Sequence, residues 1–444
     1  MTLSITKLTF NALNPTRRFT LDKNTSKSGT DPIIILKSRK DLTYGLRNRM
    51  LDIGISNVMR IGIITEDSKA NYGGLLQAAA LQKVLRDMGH DPHSVRKEAE
   101  EFSTRKFASF KQFLLYLMDL SGLYTFRKHL QDTVKHPSRL LGNSFCKCFE
   151  LHLFRRRHIR QTPWLRNGIT ISDVRKLDFD TYIVGSDQIW RYYYHPNDIL
   201  QSYLSFLPRE IRQRSFSYAA SLGVSSWEYP PEVTEACKKL LADFSAVSVR
   251  EYSGVSLIRE HLGREAEWMP DPTCLLTREE YGELAAPTTE LSENYIACYC
   301  LDYTEAIARK VQALAERLGV SVKYLGWQSD GRLQSVESWL RDIRDARCVV
   351  TDSFHGCMFS LIFGKEFVCL GNAERGNARF DTLEEMFDMK DVFHPAPDSV
   401  LPVRISEERR KMINERLAAY RERGLDFLKR NLEEAARRKE SSHE

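Results

Sequence analysis

The segment RCVVTDSFHGCMFSLIFGKEFVCLG, residues 347–371, decides the fold class of this chain. A short β-branched run is followed by a run that is apolar on nearly every side and then by a second short apolar run, which predicts strand, helix and strand. A helix without a polar face is normally buried, and this order is typical of a parallel sheet covered on both faces. In such sheets, binding sites collect at the carboxyl ends of strands. His355 follows the first strand, so it is a candidate catalytic residue; the alternative is a histidine that only caps the helix or is satisfied in the core.

The same alternation extends along most of the chain. Residues 59–288 and residues 289–400 each contain strand-like and helix-like runs at the spacing of βαβ units, and a polar stretch around Pro287 separates the two series. Residues 401–444 read as a charged, amphipathic helical segment. We therefore predict an α/β protein with two Rossmann-like doubly wound domains, at 59–288 and 289–400, which face a cleft and are followed by C-terminal helices.

The composition is that of a globular protein, with 42% apolar residues among 444. Residues 1–58 are polar and are predicted to be a disordered extension outside the fold, with Met59 as an alternative start. A net charge of +6 is modest for this length, so we expect no nucleic-acid partner. Nine cysteines with no repeated CxxC pair favour a reducing compartment. Because the sequence shows neither a signal peptide nor an apolar run long enough to span a bilayer, we expect a cytoplasmic protein.

A basic helical insertion is predicted at about 101–162. Residues 101–160 carry twelve Lys or Arg against four Asp or Glu, a net +8 that exceeds the charge of the whole chain. Apolar residues recur in this segment at helical spacing, so its basic face fits a peripheral contact with the inner membrane surface or with a lipid-linked phosphate. A basic helix face that is simply solvated fits the same pattern.

Several predicted strands end in polar groups. Besides Ser353 and His355, these residues are Asn71, Gly73, Gly74, Ser186, Asp187, Gln188, Arg250 and Asp271. The glycine pair leaves backbone N–H groups open to an anion at a helix N-terminus, although it also fits an ordinary turn. Asp187 fits either a functional carboxylate or a helix cap, and Asp271 fits a rigid turn before proline. Arg250 suits a carboxylate or phosphate, and its alternative is a surface salt bridge to Glu251 or Asp271. Together these strand ends predict a cleft that handles an anion.

In their order and spacing, six motifs resemble the polysaccharide pyruvyl transferase family, over roughly residues 59–389. They are MRIGIITEDSKANYGGLLQAAALQ, YIVGSDQIW, FSYAASLG, SVREYSGVSLI, DPTCLL and VVTDSFHGCMFSLIFGKEF. The resemblance implies a fold similar to the two-domain GT-B glycosyltransferases. It also implies that phosphoenolpyruvate binds in the cleft as the donor substrate, and that its pyruvyl group is transferred to hydroxyls of a sugar in a cell-surface or exopolysaccharide precursor, forming a ketal. The implied partners are phosphoenolpyruvate and a carbohydrate acceptor, free or lipid-linked, with no further cofactor and no metal.

By motif, Arg250 and His355 match the basic residues that this family is expected to use for phosphoenolpyruvate. One departure lies in Ser353-Phe354-His355-Gly356, because better-studied members tend to carry Arg-Leu-His-Gly there. The cation expected at Ser353 is therefore missing from that position.

Ketal formation from an enol ether needs a proton for the methylene carbon, stabilisation of charge and a base for the attacking hydroxyl. We assign the proton to His355 and the anion to Arg250. The base is Asp187 or Asp352, which the sequence does not separate. The remaining predicted substrate-binding residues are Asn71, Gly73, Gly74, Ser186, Gln188, Asp271, Ser353 and Gly356.

Two other functions fit the same sequence. A GT-B-like glycosyltransferase would bind a nucleotide sugar, which a thermal shift with nucleotide sugars but none with phosphoenolpyruvate would reveal. A non-catalytic member would carry Ser353 as the mark of a degenerate site, and its biological phenotype would survive the substitution His355→Ala.

Overall fold

The computed structural model describes residues 58–66, 71–96, 148–163, 165, 171–288, 294–329, 331–370, 378–389 and 405–441. Residues 59–444 form one compact unit. Nearly all of the predicted extension at 1–58 and most of the predicted basic insertion at 101–162 lie outside the described residues.

Four parallel strands form the first sheet: β1 (Arg60–Ile64), β2 (Asp91–Ser94), β3 (Thr181–Val184) and β4 (Phe216–Ser217). Their order across the sheet is β2-β1-β3-β4. A second parallel pair, β5 (Ser248–Val249) and β6 (Glu267–Trp268), continues the sheet through a bridge between Phe216 and Ala246. Side chains extend this short ladder, because the hydroxyls of Ser217 and Ser248 each donate to the other residue's carbonyl oxygen, at 2.9 and 2.8 Å.

The second sheet is also parallel and contains β7 (Tyr295–Tyr299), β8 (Ser321–Tyr324), β9 (Cys348–Thr351) and β10 (Glu366–Cys369). Its order is β10-β9-β7-β8. Counted along the chain, both sheets place their second strand at one edge, followed by the first, third and fourth. The segment 347–371 supplies β9, a helix and β10, which confirms the strand, helix and strand predicted for it.

Helices connect most of these strands. In the described part of the chain they are α1 (Tyr72–Asp87), α2 (Phe149–His158), α3 (Ile171–Leu177), α4 (Ile199–Ser202), α5 (Arg209–Arg212), α6 (Pro231–Leu241), α7 (Tyr252–Leu257), α8 (Arg278–Leu284), α9 (Glu305–Leu318), α10 (Val336–Arg344), α11 (Phe354–Ile362), α12 (Ala378–Phe387) and α13 (Glu407–Ser441). No helix in these described ranges combines the length and the apolar character that crossing a bilayer requires.

The central strands of each sheet are buried on both faces, as in β3 and β9. In β7, Ile296 and Ala297 point to opposite faces and belong to different hydrophobic clusters. In β1, Ile63 and Ile64 divide in the same way. Helices therefore cover both sides of each parallel sheet, which confirms the predicted α/β class with doubly wound sheets.

One hydrophobic cluster joins the two sheets and the C-terminal helix. It contains Ile63 from the first sheet, Ala297 from the second, and Ile413, Leu417 and Phe427 from α13. The predicted C-terminal helical segment is therefore one long helix that packs on a continuous core. The predicted boundary between domains at residues 288 and 289 stays a prediction.

Tyr72 holds the first turn of α1 against the second half of the chain. Its ring stacks on the ring of Trp339 in α10, with centroids 5.2 Å apart and planes 8° from parallel. Its hydroxyl donates to the carbonyl oxygen of Gln334 at 2.9 Å. A buried aromatic pair contributes about 0.5–1.5 kcal/mol beyond the area that it buries. This contact fixes where the adjacent Gly73 lies.

Candidate functional site

Arg250 is the centre of a buried charged cluster at the carboxyl end of the first sheet. Its side chain follows β5 and is 2% exposed. Nη1 donates to Oδ2 of Asp271 at 2.7 Å, Nε lies 3.5 Å from Oε1 of Glu251, and Nη2 lies 3.9 Å from Oδ1 of Asp187. The guanidinium lies over the ring of Phe354, 4.6 Å from its centroid. The alternative interpretation from the sequence, a surface salt bridge to Glu251 or Asp271, is therefore wrong. Both residues do contact Arg250, but these contacts are buried.

The ionisation of this cluster follows from its geometry. Burial alone would lower the pKa of Arg250, but attraction by Asp271, Glu251 and Asp187 raises the pKa above its ordinary value. Burial would raise the pKa of Asp271, yet contact with His355 and the charge of Arg250 hold it well below its usual range. Asp271 is therefore a carboxylate at neutral pH.

His355 reaches this cluster from the second sheet. It lies in the first turn of α11, is 5% exposed, and places Nε2 3.7 Å from Oδ2 of Asp271. The other side of the ring packs on the first turn of α1, because a Cβ at Gly73 would lie 1.9 Å from Nδ1 of His355. Glycine at position 73 is thus what allows the approach. The N-termini of α1 and α11 meet at the imidazole, where both add positive potential.

Asp187 is held in an uncommon backbone conformation two residues beyond Gly185. Its φ of 63° is in the left-handed region, which is rare for a buried residue other than glycine and is often found at functional sites. Oδ2 accepts a hydrogen bond from Nδ2 of Asn71 at 3.4 Å, and Oδ1 accepts one from the backbone N–H of Gln188 at 3.0 Å. The neighbouring Ser186 donates its hydroxyl to Oδ2 of Asp271 at 3.1 Å.

The structure thus brings together most of the residues predicted for the site. The contiguous set, joined by the contacts above, is Asn71, Gly73, Ser186, Asp187, Gln188, Arg250, Asp271 and His355. Three other predicted residues shape the loops around it. Gly74 donates its N–H to Oδ1 of Asn71 at 3.2 Å, and Ser353 caps α11 by accepting from the N–H of Gly356 at 3.5 Å.

Asp352 has a different environment from Asp187. Its Oδ1 accepts the backbone N–H of Leu301 at 2.6 Å and its Oδ2 accepts that of Asp302 at 3.0 Å. Both amides lie in the loop after β7, so the carboxylate links the loop after β9 to the loop after β7. Its position and contacts are those of a residue that builds the loop.

Two buried charged residues near Arg250 were not predicted for the site. Glu251 was considered only as a surface partner of Arg250, yet it is fully buried and accepts the hydroxyl of Ser221. Arg379 in α12 is 9% exposed and lines a small cavity together with Arg250, Asp271 and Phe354. The cavity is about 10 Å³, close to the minimum that holds one water molecule, so a larger ligand requires the surrounding side chains to move.

The available groups define what the site can bind. It offers guanidinium and imidazole N–H donors next to carboxylates, which suits an anion and a proton transfer. Within the described ranges, no group of three or more His, Cys, Asp or Glu is arranged to hold a metal ion.

Residues 71–374 match the sequence model of the polysaccharide pyruvyl transferase family. A comparison with curated protein sequences finds no match. Among solved structures, the chain is similar to the MnaA–UDP co-structure from S. aureus, with 12% identity over 82% of this chain and 97% of that one and a TM-score of 0.38. It is also similar to the UDP-GlcNAc 2-epimerase of Neisseria meningitidis bound to UDP-GlcNAc, with 9% identity over 81% and 100% and a TM-score of 0.40. At such low identities and TM-scores, these similarities say nothing of this chain's substrate.

Proposed function

The chain belongs to the polysaccharide pyruvyl transferase family, and we propose that it transfers the pyruvyl group of phosphoenolpyruvate onto two hydroxyls of a sugar in a polysaccharide precursor. The observation that carries this proposal is a set of buried donors. Nε and Nη2 of Arg250 and Nε2 of His355 have no hydrogen-bond partner among the described residues. Leaving such a donor buried without a hydrogen bond costs about 1–3 kcal/mol. A carboxylate or phosphate that accepts these donors removes that cost.

His355 supplies the proton in this mechanism. Its Nε2 lies 3.7 Å from Oδ2 of Asp271, inside the cluster that would hold the donor. The proton passes from the imidazole to the methylene carbon of phosphoenolpyruvate, which becomes a methyl group. Positive charge then develops at C2 and its phosphate-bearing oxygen, and the nearby carboxylates stabilise it.

The remaining steps balance the reaction. Asp187 takes the proton of the first sugar hydroxyl while that oxygen bonds to C2. The bond between C2 and the phosphate oxygen breaks, and phosphate leaves with the electron pair. A second hydroxyl of the same sugar bonds to C2 and gives its proton to the departing phosphate, so the products are a cyclic ketal and inorganic phosphate. The proton on Asp187 returns to His355 through solvent.

Asp187 is assigned as the base in preference to Asp352 on geometry. Both oxygens of Asp352 already accept backbone N–H groups, whereas Asp187 lies 3.9 Å from Nη2 of Arg250, where the anion would bind. A base has to lie within reach of the hydroxyl that it deprotonates.

The test is a transfer assay with the purified full chain, phosphoenolpyruvate and a panel of glycosides and lipid-linked sugars. We expect release of inorganic phosphate with at least one acceptor, whose mass increases by one pyruvic acid less one water. Absence of phosphate release with every acceptor, together with thermal stabilisation by UDP- or GDP-sugars and none by phosphoenolpyruvate, would contradict the proposal in favour of a glycosyltransferase.

A further inference from the structure

Position 353 lacks the arginine that the family resemblance leads us to expect, so the donor site needs a second cation from elsewhere. We propose that Arg379 supplies it. In this proposal, which rests on the function proposed above, Arg379 binds the phosphate or carboxylate of the donor alongside Arg250. The chain thereby replaces an arginine at the start of α11 with one from α12.

Arg379 lies on the face of α12 that borders the cavity. Arg379, Thr382, Leu383 and Met386 are spaced i, i+3, i+4 and i+7, and all four line the cavity that Arg250 also lines. The other three members of this face are apolar or weakly polar. Arg379 is therefore the one charged member of this face, and it is nine-tenths buried.

Contacts on both sides fix the position of α12. On the cavity side, the backbone N–H of Tyr252, two residues after Arg250, donates to Oγ1 of Thr382 at 3.3 Å. On the outer side, Nη1 of Arg416 and the hydroxyl of Tyr420 both donate to the carbonyl oxygen of Met386, each at 2.8 Å. The first of these hydrogen bonds ties the helix that carries Arg379 to the segment that carries Arg250, and the other two tie it to α13.

The electrostatics of Arg379 support an anion beside it. Burial and then the charge of Arg250 lower the pKa of Arg379 to about 10, against the opposite effect of Asp187 and Glu251. The two guanidiniums therefore lie close enough to repel each other. An anion that contacts both of them would relieve this repulsion through charge-assisted hydrogen bonds.

Ser353 does not provide this charge. Its hydroxyl is used as the cap of α11. The next residue, Phe354, lies under the guanidinium of Arg250 and borders the same cavity as Arg379. Phe354, the neighbour of position 353, and Arg379 therefore line one cavity from two helices, which is the arrangement that an exchange of arginines between positions 353 and 379 requires.

The test is calorimetric titration of phosphoenolpyruvate, and separately of inorganic phosphate, into the wild-type chain and its variants. We expect Arg379→Gln to weaken phosphoenolpyruvate binding roughly ten- to hundredfold and Arg379→Lys to weaken it less. Arg416→Gln is the matched control, because it removes an arginine that contacts α12 from outside the cavity, and it should bind as the wild type does. Adding Ser353→Arg to Arg379→Gln should restore part of the affinity.

The outcomes separate this inference from the function on which it rests. Equal affinity of wild type, Arg379→Gln and Arg379→Lys would overturn the role of Arg379 and leave the pyruvyl transferase proposal standing. A wild-type chain that binds no phosphoenolpyruvate would overturn the proposed function and, with it, this inference. Circular dichroism checks the fold of each variant, and Arg379→Lys carries the test if Arg379→Gln does not fold.

Discussion

The two sheets have the same strand order, and in each the third strand is followed by an aspartate that the chain uses differently. Asp187 follows β3 and faces Arg250, while Asp352 follows β9 and binds the backbone of the loop after β7. The difference shows that position at a strand's carboxyl end does not by itself make a carboxylate catalytic. The two aspartates differ in that both oxygens of Asp352 accept backbone N–H groups of a distant loop, whereas Asp187 accepts one backbone N–H and lies beside Arg250.

The same contrast extends to the neighbouring residues. The exit of the first sheet holds Arg250, Asp271 and Glu251 as a buried ionic cluster, whereas the exit of the second holds the helix cap Ser353 and contributes His355 to that cluster. One sheet therefore supplies the charges, and the other supplies the imidazole and a rigid loop.

The largest effect is expected for the imidazole. His355→Gln should lower kcat for phosphate release from phosphoenolpyruvate about 10²- to 10⁴-fold, because it removes the proton donor. Thermal unfolding should change less than activity does, since Nε2 of His355 makes no hydrogen bond to the described residues. The measurement is a phosphate-release assay with a melting curve as control. Full activity in this variant would mean that the second sheet supplies no proton donor to the reaction.

The next effect concerns Asp352. Asp352→Asn should lower the free energy of unfolding by about 2–3 kcal/mol, because one amide nitrogen would face a backbone N–H that now binds a carboxylate oxygen. Urea denaturation measures it, and activity per folded molecule should be retained. If this variant kept its stability but lost activity, the chemistry would take place at the carboxyl end of the second sheet and not of the first.

A third effect depends on pH and concerns the loops at the carboxyl end of the first sheet. Burial disfavours protonated His195, but Asp198 and Glu66 outweigh burial and raise the pKa of His195 to about 9. The pKa of His195 in the folded protein exceeds its ordinary value of about 6.5. Its pairing with these carboxylates therefore stabilises the fold fully below about pH 6.5, and this contribution is lost as the pH rises through about 9. Between those limits, the wild type should lose up to about 3 kcal/mol of unfolding free energy relative to His195→Gln. Parallel pH profiles of the two proteins in urea denaturation would argue against it.

The smallest effect is expected for Ser186. Ser186→Ala removes one hydrogen bond to Asp271, which keeps Arg250 and the N–H of Thr273 as partners. We expect a loss of about 1 kcal/mol in unfolding free energy. A much larger loss, measured by the same denaturation, would mean that the ionic cluster depends on the hydroxyl more than on the guanidinium.

Much of this organisation could be predicted from the sequence. Short apolar runs between amphipathic or apolar helices identified the parallel sheets, and polar residues at strand ends identified Arg250, Asp187, Asp271 and His355 as neighbours. These predictions succeed because strand ends of parallel sheets converge by geometry alone.

Other features depend on packing between segments that are distant in sequence. Arg379 lies in a helix with only weak hydrophobic periodicity, so the sequence pattern did not indicate that it belongs to the site. Only the packing of α12 brings it to the cavity. Likewise, the sequence could not separate Asp187 from Asp352, because the difference lies in which distant N–H groups reach each carboxylate. The burial of Glu251 follows from tertiary packing in the same way.

The most direct test of the central claim compares Asp187→Asn with Asp352→Asn in ³¹P NMR of phosphoenolpyruvate, with an acceptor that the wild type uses and at a temperature at which all three proteins are folded. The wild type and Asp352→Asn should convert the phosphoenolpyruvate signal to that of inorganic phosphate at similar rates, and Asp187→Asn should be slower by about 10²-fold or more. Equal rates in Asp187→Asn and the wild type, or a specific loss in Asp352→Asn, would contradict the account.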